Sequence, residues 1–337
     1  MTCVTGKYSL FEVSNKNFSN KAAVLESRSD LLPFATKDVR QIVVPLDGTL
    51  EAEHALPYAI AIARRSGASI CLVHVLPLRE AVRAWEVSDS AEIGGNGRHQ
   101  KHGYMSALLN SVRSITQGKV SDDVIEETNI AGTLSTMADE NSLVIMASAG
   151  RSYMKELLNG SVTDNLLRKL KGPLLLIRGL PVPPDLSNDP IPRHIMIPLD
   201  GTACAEQTIV PTMQFGALGG ARYSLINLRT ALAHRREISV SQEYLKDVAC
   251  RFSRLNSRFD AEVVVSYRDL ATDLLEHAEK EGADWIALTS HSRQFWDRLL
   301  HHSVAKDIIR KSKVPLLLFG HPFKPDTDCD QLMIRGV

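Results

Sequence analysis

The sequence predicts an α/β protein made of two tandem five-stranded, parallel-sheet domains of the Rossmann type, and three observations carry that prediction. Short β-branched runs alternate with amphipathic stretches, as in Ile42 to Leu46, the stretch that runs to Ser66, and Ile70 to Val75. Strand, helix and strand joined by short connections form a βαβ unit, which demands a parallel sheet. The whole pattern then begins again, because Ile195-Met-Ile-Pro-Leu-Asp-Gly-Thr202 repeats Ile42-Val-Val-Pro-Leu-Asp-Gly-Thr49.

At 337 residues the chain is long enough for two domains. Lys+Arg and Asp+Glu balance at 39 each, so there is no global field to draw nucleic acid or an anionic membrane. No apolar run reaches the roughly 18 residues of a membrane-crossing helix, and the N-terminus lacks the basic-then-apolar pattern of a secretory signal. Cys3, Cys71, Cys204, Cys250 and Cys329 are scattered and form no CxxC, as expected of a reduced, cytoplasmic protein.

Residues 1–38 are polar and mixed and read as an extension outside the core. The first domain spans 39–179. Its first strand ends in Asp47-Gly48, a turn signal, and a helix follows with Leu56, Ile60 and Ala63 on one face. Pro57 bends that helix or marks its true start, and Gly67 ends it. A second strand covers Ser69 to Val75. Residues 77–103 lose periodicity and read as a loop, with Gly94, Gly95 and Gly97 in it. A helix over Met105–Thr116, a polar edge strand over Val120–Glu127, a short helix over Thr133–Glu140 and a strand over Leu143–Ala147 come next. Leu174–Arg178 closes the domain, with Pro173 where a missing N–H is tolerated. The prolines of residues 180–193 make a stiff linker. A second domain over 194–321 and a tail over 322–337 complete the chain.

The stretch from Val144 to Thr163 organises this reading. A buried strand ends in the small residues Ala147, Ser148, Ala149 and Gly150, which let a ligand approach the backbone. Gly160-Ser161 then opens a helical stretch, offering free N–H groups, a hydroxyl and a positive dipole end to phosphate. A lone Gly-Ser would be an ordinary turn, but this constellation recurs in altered form from Leu299 to Phe319.

Taken together, a strand ending Pro-x-Asp-Gly-Thr, a strand ending His-Val, and a glycine-spaced loop ending Gly-Ser before a Pro-apolar strand resemble the universal stress protein family in its tandem form. The resemblance covers about residues 39–179 and 192–321. It implies the adenine nucleotide α-hydrolase-like fold and, as in some members, ATP bound at the carboxyl ends of the strands, alone or with Mg²⁺. By the same resemblance, Asp47 meets the ribose, Pro45 and Val75 wall the adenine, and Met146 and Ala147 form the strand end it packs on. Gly150, Gly160, Ser161, Val162 and Thr163 match the phosphate-contacting loop. The first motif glycine is Ala147 here, which tightens the approach by a methyl group.

In the second domain the glycine counterparts are Thr289, Ser292 and His302, and only Ser303 survives, so that site reads as degenerate despite Asp200. His291, His301 and His302, with His234, lack the spacing and the partners of a metal centre. The leading expectation is a stress-response regulatory protein that binds ATP in its first domain and uses the second for packing or interaction. Family precedent also implies pairing of domains within the chain, a homodimer and an unidentified protein partner. Two alternatives stand beside it: a nucleotide-free interaction scaffold, and a slow ATPase or self-phosphorylating protein. Against catalysis, there is no Walker-type lysine, and Glu156 and Asp164 are the nearest carboxylates to the loop.

Overall fold

Ile42, Val43, Val44 and Leu46 lose all solvent exposure in β1 (Gln41–Leu46), the central strand of the first sheet. A continuous apolar run suits a parallel strand covered on both faces, and each such side chain contributes roughly 1.5–3 kcal/mol by its burial. A computed structural model of the chain describes residues 39–76, 96–116, 118–126, 130–148, 166–167, 169–253, 258–289 and 304–320. These fall into two units, one of residues 38–191 with 312–321 and the other of residues 192–311.

In the first unit, β1 leads into α1 (Leu50–Glu53) and α2 (Ala55–Ser66). The rest is β2 (Ser69–Leu76), α3 (Asn96–Ile115), β3 (Val120–Glu126), α4 (Ile130–Met137), β4 (Ser142–Ser148) and β5 (Leu174–Arg178). The strands lie in the order β3-β2-β1-β4-β5, all parallel. Pro57 marks a start rather than a bend: a turn at His54 ends α1, and the proline sits in the first turn of α2, where its missing N–H costs nothing. Gly67 closes α2 in the left-handed conformation at φ 73°, its N–H bonded to the Ala63 carbonyl.

Two helices and the linker depart most from the expectation. The helix expected from Met105 begins at Asn96, so the end of the presumed loop is helical; Asn and Gly mark turns, but they also serve at helix starts. The helix expected over Thr133–Glu140 runs instead over Ile130–Met137. Asp139 stops it, because its carboxylate accepts from Asn141 N at 2.8 Å and Ser142 Oγ at 2.7 Å in a side-chain-closed turn. The proline-rich stretch is anchored as well as stiff. His54 Nε2 donates to the Val182 carbonyl at 2.8 Å, and Arg65 forms a two-pronged ion pair with Asp189.

The second unit repeats the plan with β6 (His194–Pro198), α5 (Ala203–Glu206), α6 (Ile209–Ala217), β7 (Arg222–Thr230) and α7 (Arg235–Ser253). β8 (Phe259–Ser266), α8 (Leu270–Glu281), β9 (Trp285–Thr289) and α9 (Val304–Lys311) follow. Its strand order is β9-β6-β7-β8, again parallel. Its core is more aromatic: Tyr223 stacks on Phe259 at 5.0 Å between ring centres, and Trp285 lies tilted against Phe215 at 6.3 Å. The last strand of the chain, β10 (Leu316–Phe319), belongs to the first unit. It pairs antiparallel with β5, Leu317 facing Leu175. The two Pro-Leu-Leu-Leu runs are therefore neighbours in one sheet.

Close approach of backbone fixes the entry to β5. A Cβ on Gly172 would lie 2.1 Å from the Ser142 carbonyl oxygen. Gly172→Ala is expected to cost about 1–3 kcal/mol as overpacking against backbone, read as a lowered Tm in thermal circular dichroism. The exposed neighbour Lys171→Ala should leave Tm almost unchanged.

Candidate functional site

The ladder between β1 and β4 runs from Gln41 opposite Ser142 to Val43 opposite Val144 and stops there. Beyond it, β1 stays with β2 as far as Leu46 opposite His74, while β4 stays with β5 as far as Ser148 opposite Arg178. The two strands therefore part at their carboxyl ends, where the chain's winding changes direction across the sheet. That switch point is where open α/β sheets hold ligands.

Asp47 leaves β1 at this point. A strand that turns straight into a helix must satisfy the helix's first N–H groups, and Asp47-Gly48-Thr49 does so locally. Gly48 takes φ 82°, a region that disfavours any side chain. The Asp47 carboxylate accepts from Thr49 N at 3.1 Å and Thr49 Oγ1 at 2.6 Å, and Thr49 Oγ1 in turn caps α1 by accepting from Ala52 N at 3.2 Å. The second unit builds the same turn. Gly201 has φ 92°, Asp200 accepts from Thr202 N at 2.9 Å and Thr202 Oγ1 at 2.6 Å, and Ala205 N donates to Thr202 Oγ1 at 3.2 Å.

Of the residues singled out from sequence, Pro45 is buried near the end of β1, and Asp47 is partly exposed just beyond it. Met146 and Ala147 end β4 with 2% and 0% exposure. Val75 lies in β2, its backbone opposite Ile125 of β3. Gly150, Gly160, Ser161, Val162 and Thr163 lie outside the described residues, as do Glu156, Asp164, His291, His301 and His302. His234 is exposed ahead of α7, and among the described residues no group of three or more His, Cys, Asp or Glu side chains is placed to hold a metal ion.

The structure adds residues that the sequence reading passed over. Tyr104 of α3 donates its hydroxyl to Glu53 Oε1 at 3.0 Å, and its ring lies tilted 5.9 Å from that of the buried His74 on β2. Burial raises the Glu53 carboxyl above its ordinary value, against the lowering pull of the Tyr104 hydroxyl and His54. Burial, with Glu53 and Asp47 nearby, pushes the Tyr104 phenol up as well. The signal was present in the repeat: Glu206 follows Asp200 at the spacing at which Glu53 follows Asp47. Tyr244 of α7 lies near Glu206 without the hydrogen bond that joins Tyr104 to Glu53, and burial, with Glu206 and Asp200 nearby, raises its phenol against the opposing charge of Arg251.

Among the described residues, a guanidinium beside the carboxylate separates the two copies. In the second unit Arg251 Nη2 reaches Glu206 Oε2 at 2.9 Å, with its Nε at 3.1 Å from Asp247. The residue equally far along the helix from Tyr104 is Ser111, whose hydroxyl donates to the Ala107 carbonyl at 3.0 Å instead. On the strand, Asn227 stands where the first unit has His74, donating to the Leu199 carbonyl at 2.7 Å. The first unit thus offers carboxylates and a phenol beside the parted strands. Such groups orient hydroxyls, and the second unit answers part of its own acidity with a guanidinium.

The family model described as "Universal stress protein family" matches residues 38–178 and 192–320. A universal stress protein of Mycobacterium tuberculosis is 21% identical over 298 residues, covering 82% of this chain and 96% of that protein. Among solved structures, a universal stress protein from Archaeoglobus fulgidus superposes with a TM-score of 0.56 at 14% identity, over 84% of this chain and 97% of that one. One from Pseudomonas aeruginosa gives 0.55 at 14% identity, over 84% and 94%. These structural likenesses show the fold.

A half-buried carboxyl with a raised pKa makes stability depend on pH. The folded state holds the Glu53 proton more tightly than the unfolded chain does, so its contribution is present below the unfolded value and is lost as pH rises through the folded one. Glu53→Gln removes that loss while keeping an acceptor for Tyr104. The Tm of the variant relative to wild type should therefore be higher at pH 7.5 than at pH 4, by about a degree or more for each half kcal/mol relieved. A constant difference across that range would show that Glu53 is not held protonated-prone in the fold.

Proposed function

The chain belongs to the universal stress protein family, and from that premise we propose that its first unit binds an adenine nucleotide, ATP by preference, as a regulatory ligand. The observation that carries this reading is the parting of β1 and β4 beyond Val43 and Val144, with Asp47 at its lip. A nucleoside laid there would meet Pro45, Val75, Met146 and Ala147, and Asp47 would accept from the ribose hydroxyls. Gly150, Gly160, Ser161, Val162 and Thr163 would receive the phosphates, alone or with Mg²⁺. The second unit, with its altered loop and its Arg251–Glu206 pair, serves packing and interaction. A homodimer, a protein partner and a cytoplasmic location complete the proposal.

A second reading, a nucleotide-free scaffold, is favoured by one observation: Met146 and Ala147 are covered, at 2% and 0% exposure. Titration calorimetry with ATP and Mg²⁺ separates the two. Wild type should bind about one ATP per chain. Asp47→Asn keeps an acceptor for Thr49 but removes the charge, and should weaken binding roughly tenfold, the worth of a hydrogen bond to a charged group. Gly160→Trp, checked for folding by circular dichroism, should abolish it. No heat from wild type sinks the nucleotide reading in favour of the scaffold, and two ATP per chain means that the second unit also binds.

A further inference from the structure

Six large apolar side chains are markedly exposed among the described residues, and the two most exposed are neighbours: Leu232 at 90% and Tyr267 at 77%. Leu232 sits in the turn after β7, and Tyr267 directly follows β8. Ala231 N donates to the Ser266 carbonyl at 2.8 Å, which ties the two connections together at one corner of the second unit. Val240, 47% exposed, lies further along on α7. A cluster of this kind is more than the scattered apolar exposure of an ordinary surface.

The charges at the same corner are also out of place. Arg235 and Arg236 open α7, where the positive end of the helix disfavours cations. Both are exposed, and neither has an ion-pair partner among the described residues. His234 precedes them, also exposed. The other arginines nearby are engaged: Arg268 with Asp273 and Glu276, and Arg229 with the Ser241 hydroxyl at 2.8 Å. Glu237 is the one acidic residue in the first turn of the helix. The corner therefore presents unanswered positive charge beside exposed Leu and Tyr, which suits an acidic segment that continues into aliphatic residues.

The chain carries such a segment. Residues 326–334 read Asp-Thr-Asp-Cys-Asp-Gln-Leu-Met-Ile, with Asp326, Asp328 and Asp330 followed by three aliphatic side chains. We propose that the corner formed by Leu232, Arg235, Arg236 and Tyr267 is the docking surface for residues 326–334 of the same chain. The aspartates answer Arg235 and Arg236, and Leu332, Met333 and Ile334 cover Leu232 and Tyr267. The second unit then has a binding role of its own, independent of the nucleotide reading.

Cys329 lies inside the segment, and its alkylation in the full-length protein reports docking. Iodoacetamide labelling is followed peptide by peptide by mass spectrometry, with the exposed Cys250 as the internal reference. R235E/R236E should speed labelling of Cys329 at least threefold relative to Cys250. This variant places acidic residues where a helix start favours them, so the fold is spared. L232S/Y267S should act in the same direction. Adding D326R/D328R/D330R to R235E/R236E should restore slow labelling. Equal rates in wild type and R235E/R236E, or failure of the reversed charges to restore protection, overturns the proposal. Protection that disappears on dilution also overturns it, because the segment of a second copy would then be the occupant.

Discussion

The junction of β1 with α1 depends on a single carboxylate. Where a parallel strand passes into a helix, the chain must reverse sharply and the first helical N–H groups need acceptors. Asp47 meets both needs with Gly48 and Thr49, and Asp200 does the same with Gly201 and Thr202, to within a few tenths of an ångström in each hydrogen bond. The turn fixes the direction in which α2 leaves the sheet and holds a carboxylate at the switch point. The atoms that close the turn are those proposed to meet a nucleotide. A repeated Asp-Gly-Thr is by itself poor evidence of a ligand, since the second unit keeps it with an altered loop sequence.

What distinguishes the two units lies one layer behind the turn. Both place a Glu on the short helix and a Tyr on the long one, so that a phenol faces a carboxylate near the Asp. In the second unit Arg251 adds a guanidinium to that pair, and Asn227 is tied to the backbone of the neighbouring strand end. In the first, His74 and Tyr104 lie ring against ring, and the Glu53 carboxyl is left with a raised pKa. An acidic pocket that supplies its own cation gains little from a further donor. Among the described residues, the first unit places a phenol and an imidazole beside its carboxylate instead.

The strands, their order of appearance and the repeat were legible because each depends on a short local pattern. Ile42 to Leu46 and Trp285 to Thr289 are apolar runs that only a covered sheet can use. The family likeness was readable as well, since it rests on short motifs at fixed places. Helix ends were read less well. The stop before Asp139 depends on side-chain hydrogen bonds, and the start at Asn96 on the tolerance of a helix start for Asn and Gly, neither of which a periodicity argument weighs. Glu53 and Tyr104 went unnoticed for a different reason. Their partnership spans a stretch of sequence whose length differs between the copies, so only the Asp-to-Glu half of it recurs at constant spacing. The antiparallel pairing of β5 with β10 could not be read from either strand alone, because both are equally apolar.

That pairing bears on how the two copies divide their tasks. β5 would be the edge of the first unit's parallel strands, a row of backbone groups that could template association with another chain. β10 covers it with a run of the same composition, Leu316 to Leu318 against Leu174 to Leu176. Gly320 then passes so close to the first unit that a Cβ would lie 2.6 Å from the Leu167 carbonyl oxygen. The last strand of the second repeat is therefore built into the first unit. Change in the second repeat is constrained at that strand by the needs of the first sheet, whereas its β7 and β8 connections carry no such constraint. Exposed Leu232 and Tyr267 stand on those connections, where new contacts can arise without disturbing either core.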